Sequence, residues 1–196
     1  MQTLVSHPVS VSITGRPHIR YALLCTLAFV WATLSACSTL TSTPAVTADA
    51  SQGWALLPIS NLSENPQADR QARNLLETRL RTRGVQDIAS YAPLQTVSLR
   101  KLLDSDSQQQ DALLWARKSG YRYGLSGTIN EWNYRTGADK EPVVGLNLKL
   151  VDVMTGDVLW QASAARTGWG FANLPALADS VIADLLESVQ FDNASR

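Results

Sequence analysis

Apolar positions along the chain form one continuous run and then a series of short, periodic segments. Residues Tyr21 to Ala36 are apolar apart from Thr26, Thr33 and Ser35. This run of 16 residues is short of the roughly 20 that cross a hydrocarbon core as a helix. Ser38 to Gln52 follows, rich in Ser, Thr, Ala and Pro with almost no charge. Such a stretch predicts a flexible tether. Trp54-Ala55-Leu56-Leu57-Pro58-Ile59 predicts a short strand, and Asn61 to Pro66 a polar loop.

Helical spacing begins next. Ala68, Ala72, Leu75, Leu76 and Leu80 share one helical face. Arg79, Arg81 and Arg83 crowd its last turn, where the dipole favours cations, and Gly84 is the expected stop. These arginines fit a solvated face or, alternatively, an anionic-lipid patch. Val85 to Ile88 predicts a second short strand. Ser107 to Ser119 predicts a second helix with Ala112, Leu113 and Ala116 inward, ended by Gly120.

From Tyr121 the period changes to two. Gly124, Ser126, Thr128, Asn130, Trp132 and Tyr134 fall on one face of a long strand. Val144, Leu146, Leu148 and Leu150 alternate with Gly145, Asn147 and Lys149 on the next. Met154-Thr155-Gly156-Asp157 is a turn, and Val158, Trp160 and Ala162 open a third strand. This predicts an antiparallel meander with one buried face. Leu174, Leu177, Val181, Leu185 and Val189 mark a helix able to cover it. The order β-α-β-α-β-β-β-α predicts an α/β (α+β) fold, a single mixed sheet covered by helices.

The apolar run ends in Leu34-Ser35-Ala36-Cys37. Arg16, His18 and Arg20 precede it, and no acid occurs before Asp49. A positive region, a short apolar region and small residues before a cysteine describe a lipoprotein signal peptide. A plain signal peptide or an anchor helix is the competing reading. Cys37 is thus the expected lipidation site. The expected organisation is a signal peptide at 1–36, a lipidated cysteine and tether at 37–52, and a periplasmic domain at 53–196. In bacterial lipoproteins an Asp after the cysteine is the usual inner-membrane retention signal. Ser38 stands here, and similarity to that sorting rule implies the periplasmic leaflet of the outer membrane. Several acyl chains give stable anchoring.

Processing would leave 160 of the 196 residues, enough for one domain. His7, His18 and Cys25 would leave with the signal peptide, and Cys37 would carry lipid. The remaining domain has neither histidine nor free thiol. That excludes Ser-His-Asp and Cys-His catalysis, zinc sites with His or Cys ligands, and disulfides. No catalytic residue, metal or cofactor is expected. Without Arg16 and Arg20, 15 basic face 17 acidic residues, so no basic footprint for nucleic acid exists.

Several stretches together resemble the PelC family, outer-membrane lipoproteins of Pel exopolysaccharide export. They are Gln52-Gly53-Trp54-Ala55-Leu56-Leu57-Pro58-Ile59, Ser63-Glu64-Asn65-Pro66-Gln67-Ala68, Ala112-Leu113-Leu114-Trp115-Ala116-Arg117, Gly127-Thr128-Ile129-Asn130-Glu131-Trp132 and Gly156-Asp157-Val158-Leu159-Trp160. The region around Asp152 to Trp160 is also similar to the curli secretion lipoprotein CsgG and to the synthase activator LpoB. The resemblance implies a homo-oligomeric ring, a dodecamer, under the outer membrane. Its acidic lumen would collect a cationic, partly deacetylated exopolysaccharide and pass it to a PelB-like β-barrel porin. A surface lined by one sign of charge concentrates the opposite sign, which makes that arrangement physically sensible.

Two sites carry over by position. The hairpin Gly137-Ala138-Asp139-Lys140-Glu141-Pro142 matches an acidic lumenal loop, with Asp139 and Glu141 as its acids and Lys140 weakening them. A solvated hairpin tip is the competing reading. Trp169, with Phe171 assisting, matches a family tryptophan that looks like a membrane-interface anchor. A tryptophan folded back onto the sheet edge is the alternative. Trp54, Trp115 and Trp160 are expected in the core, while Trp132 fits either environment.

Two other functions compete. An LpoB-like activator of a peptidoglycan synthase would need a long tether, whereas Ser38 to Gln52 spans at most about 50 Å extended. A glycan-cleaving enzyme would need two carboxylates flanking a cleft. Asp104 with Asp106, and Asp139 with Glu141, are near neighbours that solvated turns explain as well.

Overall fold

A computed structural model describes residues 38–92, 105–136, 140–169 and 172–192. The chain divides into two units between Ala36 and Cys37, and all described residues belong to the second. Its elements are β1 (Ser38–Ser42), β2 (Val46–Asp49), β3 (Trp54–Asn61), α1 (Ala68–Thr82), β4 (Ile88–Ser90), α2 (Ser105–Lys118), β5 (Tyr123–Tyr134), β6 (Pro142–Asp152), β7 (Val158–Thr167), α3 (Leu174–Leu186) and β8 (Val189–Asp192).

Six strands form one mixed sheet in the order β1-β7-β6-β5-β3-β4. The meander β5-β6-β7 is antiparallel, and β3 joins both β5 and β4 in parallel. A separate parallel pair joins β2 to β8. The predicted mixed sheet with helical cover is what forms.

The main core lies between the sheet and the pair α1 and α3. Leu76 and Leu80 of α1, Val181, Ile182 and Leu185 of α3, and Leu146, Leu148 and Leu150 of β6 are all buried there. Asn173 caps α3, accepting a hydrogen bond from the Ala176 N–H at 2.9 Å. A smaller core lies on the opposite face, where Ala112 and Ala116 of α2 cover Ala55, Leu57, Val151 and Val153. Each helix therefore buries one stripe against one side of the same sheet.

The arginines closing α1 have structural partners. Arg79 pairs with Asp179 of α3, donating from Nε at 2.7 Å. Arg81 pairs with Glu77 at 2.9 Å, and Arg83 donates to the Leu186 carbonyl at 2.7 Å. The last contact satisfies a carbonyl that the end of α3 leaves open.

Four local expectations change. The second strand is Ile88–Ser90 rather than 85–88, and Val85 is fully buried in the connection before it. Val189 belongs to β8 rather than to the last helix. In β5 a bulge between Ile129 and Glu131 shifts the pairing with β6. An extra residue exchanges the two faces, so Ile129 and Trp132 both enter the main core. Trp132 is 1% exposed and donates its indole N–H to Gln71 Oε1 at 2.9 Å.

The expected tether is the largest change. Ser38–Ser42 pairs with β7, and Val46–Asp49 pairs with β8. Ala48 and Ala50 are buried, and Trp54 donates its indole N–H to the Asp49 carbonyl at 3.2 Å. Composition missed this because the segment has little apolar mass. Its backbone completes ladders that β7 and β8 offer, and small alanines fit beneath Trp54 and Phe191. Strand pairing is therefore already present at Ser38.

Candidate functional site

Strand direction brings separate parts of the sequence to one end of the sheet. Tyr134 pairs with Pro142, Val143 with Thr167, and Arg166 with Ser38. The β5–β6 turn, the end of β7 and the start of β1 therefore lie together, at what we call the hairpin end. Cys37 lies outside the described residues. It is bonded to Ser38, and consecutive Cα atoms are about 3.8 Å apart, so an acyl group on Cys37 would start at this end.

The hairpin closes through the Arg135 N–H donating to the Glu141 carbonyl at 2.8 Å. Lys140 has φ +43°, the left-handed conformation that a tight reversal demands. Glu141 is half-buried beside it. Asp139, with Gly137 and Ala138, lies outside the described residues.

After β7 the Gly168 N–H donates to the Pro142 carbonyl at 2.8 Å. A Cβ at Gly168 would stand 2.7 Å from Pro142 Cγ and 2.9 Å from Ala172 Cβ. Glycine is what permits that close passage. Trp169 follows and is 82% exposed. The alternative of an indole folded back onto the sheet edge does not describe it. Phe171 lies outside the described residues. Glu141 and Trp169, separate in sequence, thus flank Pro142 and Gly168, which are hydrogen-bonded to each other.

Two more acids stand near the hairpin. A cleft of about 320 Å³ is lined by Glu64, Glu131, Asn133 and Arg135, among others. Glu64 and Glu131 are exposed and take part in no ion pair among the described residues. Sequence reading passed over both, because Glu64 sits in a polar loop and Glu131 follows a bulge that hides its face.

The other tryptophans divide by environment. Trp54 and Trp160 are buried in the main core, and Trp160 donates to Ser188 Oγ at 2.9 Å. Trp115 packs against the smaller core between Tyr91 and Tyr121. Of the proposed carboxylate pairs, Asp104 lies outside the described residues, and Asp106 stands on the first turn of α2. No group of three or more potential metal ligands occurs among the described residues. None of the described helices is long and apolar enough to cross a membrane.

Residues 37–165 match the family model described as peptidoglycan-synthase activator LpoB. Among solved structures, the PelC dodecamer from Paraburkholderia phytofirmans is 33% identical. It covers 80% of this chain and 100% of its own, with a TM-score of 0.67. The L103M form of that dodecamer, at 34% identity, has the same coverage and TM-score. Lipoprotein GNA1162 from Neisseria meningitidis is 16% identical, covers 69% of this chain and 95% of its own, and has a TM-score of 0.49. No curated protein matches the chain. The chain belongs to the LpoB-like family by a model spanning well over half of it, and to the PelC family by its identity to the dodecamer's subunit.

Proposed function

We propose that this protein is a non-enzymatic outer-membrane lipoprotein that guides an exported polysaccharide. It forms a homo-oligomeric ring beneath the membrane and passes a cationic, partly deacetylated exopolysaccharide to a PelB-like β-barrel porin. The observation that carries this reading is the 33% identity to a PelC dodecamer across the whole of that chain. The hairpin end supports it independently. An acylated Cys37 and the exposed Trp169 would meet one membrane surface together, since the start of β1 and the end of β7 are paired. Aromatic rings suit headgroup depth.

Asp139 and Glu141 are the proposed polymer-guiding acids, with Phe171 assisting Trp169 at the membrane. Many weak charge contacts around a ring hold a polymer by their number while each releases quickly. Electron microscopy of the lipidated protein in detergent tests the reading. A closed ring with an open centre is the expected result, and a uniform monomer would overturn it.

The LpoB family model favours a second reading, activation of a peptidoglycan synthase. The early start of β1 weighs against it. With Ser38 already paired to Arg166, little free chain remains to reach a distant enzyme.

A further inference from the structure

Among the described residues, α2 covers the sheet face opposite α1 and α3 over β3 and the end of β6. Across β1, β7, β6 and β5 that face carries a cleft of about 510 Å³. Strand register sets its lining in rows. Thr41 pairs with Ser163, Ser163 with Asn147, and Asn147 with Thr128. The next row is Gln161, Lys149 and Ser126. Neighbouring groups along a row stand about 4.8 Å apart, and the rows about 6.8 Å apart. The result is a regular grid of hydroxyls and amides.

None of these seven side chains is bonded to another described residue. Comparable groups elsewhere are used by the fold. Asn61 donates to the Asn65 carbonyl at 2.6 Å, and the Ser180 hydroxyl donates to the Leu177 carbonyl at 2.7 Å. Ser126 is the sharpest case. It is only 7% exposed, lines the cleft and has no partner. Among the described residues the enclosed, unpartnered side-chain atoms are Arg73 Nε and Asn133 Oδ1, so the Ser126 oxygen reaches the solvent of the cleft, where a ligand group can replace water.

We propose that this face is a second glycan site, taking neutral, N-acetylated hexosamine units of an extended saccharide chain. The glycan class rests on the export reading above; the choice of acetylated units does not. Hydroxyls and carboxamides donate and accept, as sugar hydroxyls and acetamido groups require. Lys149 brings a positive charge, while Asp106 at the rim is already partnered. A cationic, deacetylated unit is therefore disfavoured here and directed to the acids near the hairpin. No ring-stacking aromatic lines the described cleft, so contacts are individually weak, as a moving chain needs. The two sites together would read the two kinds of unit in one polymer.

Saturation-transfer NMR on the mature lipidated protein tests this, because it reports weak ligands on large assemblies. The probes are the chitin hexamer, fully acetylated, and the chitosan hexamer, fully deacetylated. The chitin hexamer is expected to give transfer that survives about 0.5 M salt, where the Debye length falls to a few ångströms. The double variant Asn147→Ala with Gln161→Ala is expected to lose about fivefold or more in affinity, the loss of two hydrogen bonds. Both positions are solvent-facing, and an unchanged urea midpoint shows that the variant folds. The proposal is overturned if the parent gives no transfer, if the double variant binds as the parent does, or if salt abolishes the signal. Hydrogen-exchange protection of β5–β7 on ring formation, without saccharide transfer, would instead assign the face to contact between copies. Chitosan binding that depends on Glu141, with a silent sheet face, sinks this site and spares the export reading. Chitin binding at the face in a protein that forms no ring does the reverse.

Discussion

Trp132 and Trp169 are the same residue type with opposite uses, and burial decides between them. Trp132 is 1% exposed, and its indole N–H is met by Gln71 Oε1. Gln71→Ala leaves that N–H buried without an acceptor, and about 1–3 kcal/mol of stability is expected to be lost in urea titration. Trp169, at 82% exposure, contributes little to folding. Trp169→Ala should change stability by less than about 0.5 kcal/mol yet weaken vesicle association. Comparing Cys37→Ala with and without Trp169 isolates the effect from the lipid anchor proposed at Cys37; equal partition would sink the membrane role. Asp49 shows a third kind of use. The Ser51 hydroxyl and N–H and the Gln52 amide donate to its carboxylate and hold its pKa below the ordinary value. A lowered pKa stabilises the fold above the unfolded value and loses that contribution as pH falls through the folded one. Asp49→Asn is expected to flatten the acid limb of melting temperature against pH, most clearly below about pH 4.

At the scale of elements, the meander is held by a close approach at its centre. A Cβ on Gly127 would stand 2.3 Å from the Asn147 carbonyl oxygen. Gly127→Ala must separate β5 from β6, and a loss of about 2 kcal/mol or more is expected in denaturant unfolding. Unchanged stability would mean that the bulge beside it absorbs the methyl group. The alternation in β6 was legible because Val144, Leu146, Leu148 and Leu150 keep strict period two with no interruption. In β5 the same logic assigned Trp132 to a face shared with Thr128, which the bulge reverses. A bulge is set by pairing with a neighbouring strand, and a single strand's sequence carries no mark of that neighbour. Likewise β1 is exposed throughout, so no hydrophobic pattern announces it.

At the scale of the whole molecule, the acids near the hairpin should act on polymer rather than on folding. The double variant Asp139→Ala with Glu141→Ala is expected to lower polysaccharide export while the protein accumulates at its usual level. Export at the parent rate would remove these residues from the lumen. Glu64 and Glu131 supply additional carboxylates beside the same turn, so Asp139→Ala or Glu141→Ala alone is expected to have the weaker effect.

The sequence by itself determined the main helices, the meander and the absence of histidine and cysteine from residues 38–196. Those follow from local period and from composition, which no partner alters. It also marked Glu141 and Trp169, through a resemblance carried by short motifs. Tertiary structure decided that β1 begins at Ser38 and that Trp132 is core. It decided too that Ser38, Glu141 and Trp169 share one end of the sheet. The open polar grid was equally invisible in the chain. Thr41, Thr128, Asn147 and Ser163 come from four strands, and only pairing register makes them neighbours. Local patterns report which face of an element is buried; what stands beside that element is a property of the assembled sheet.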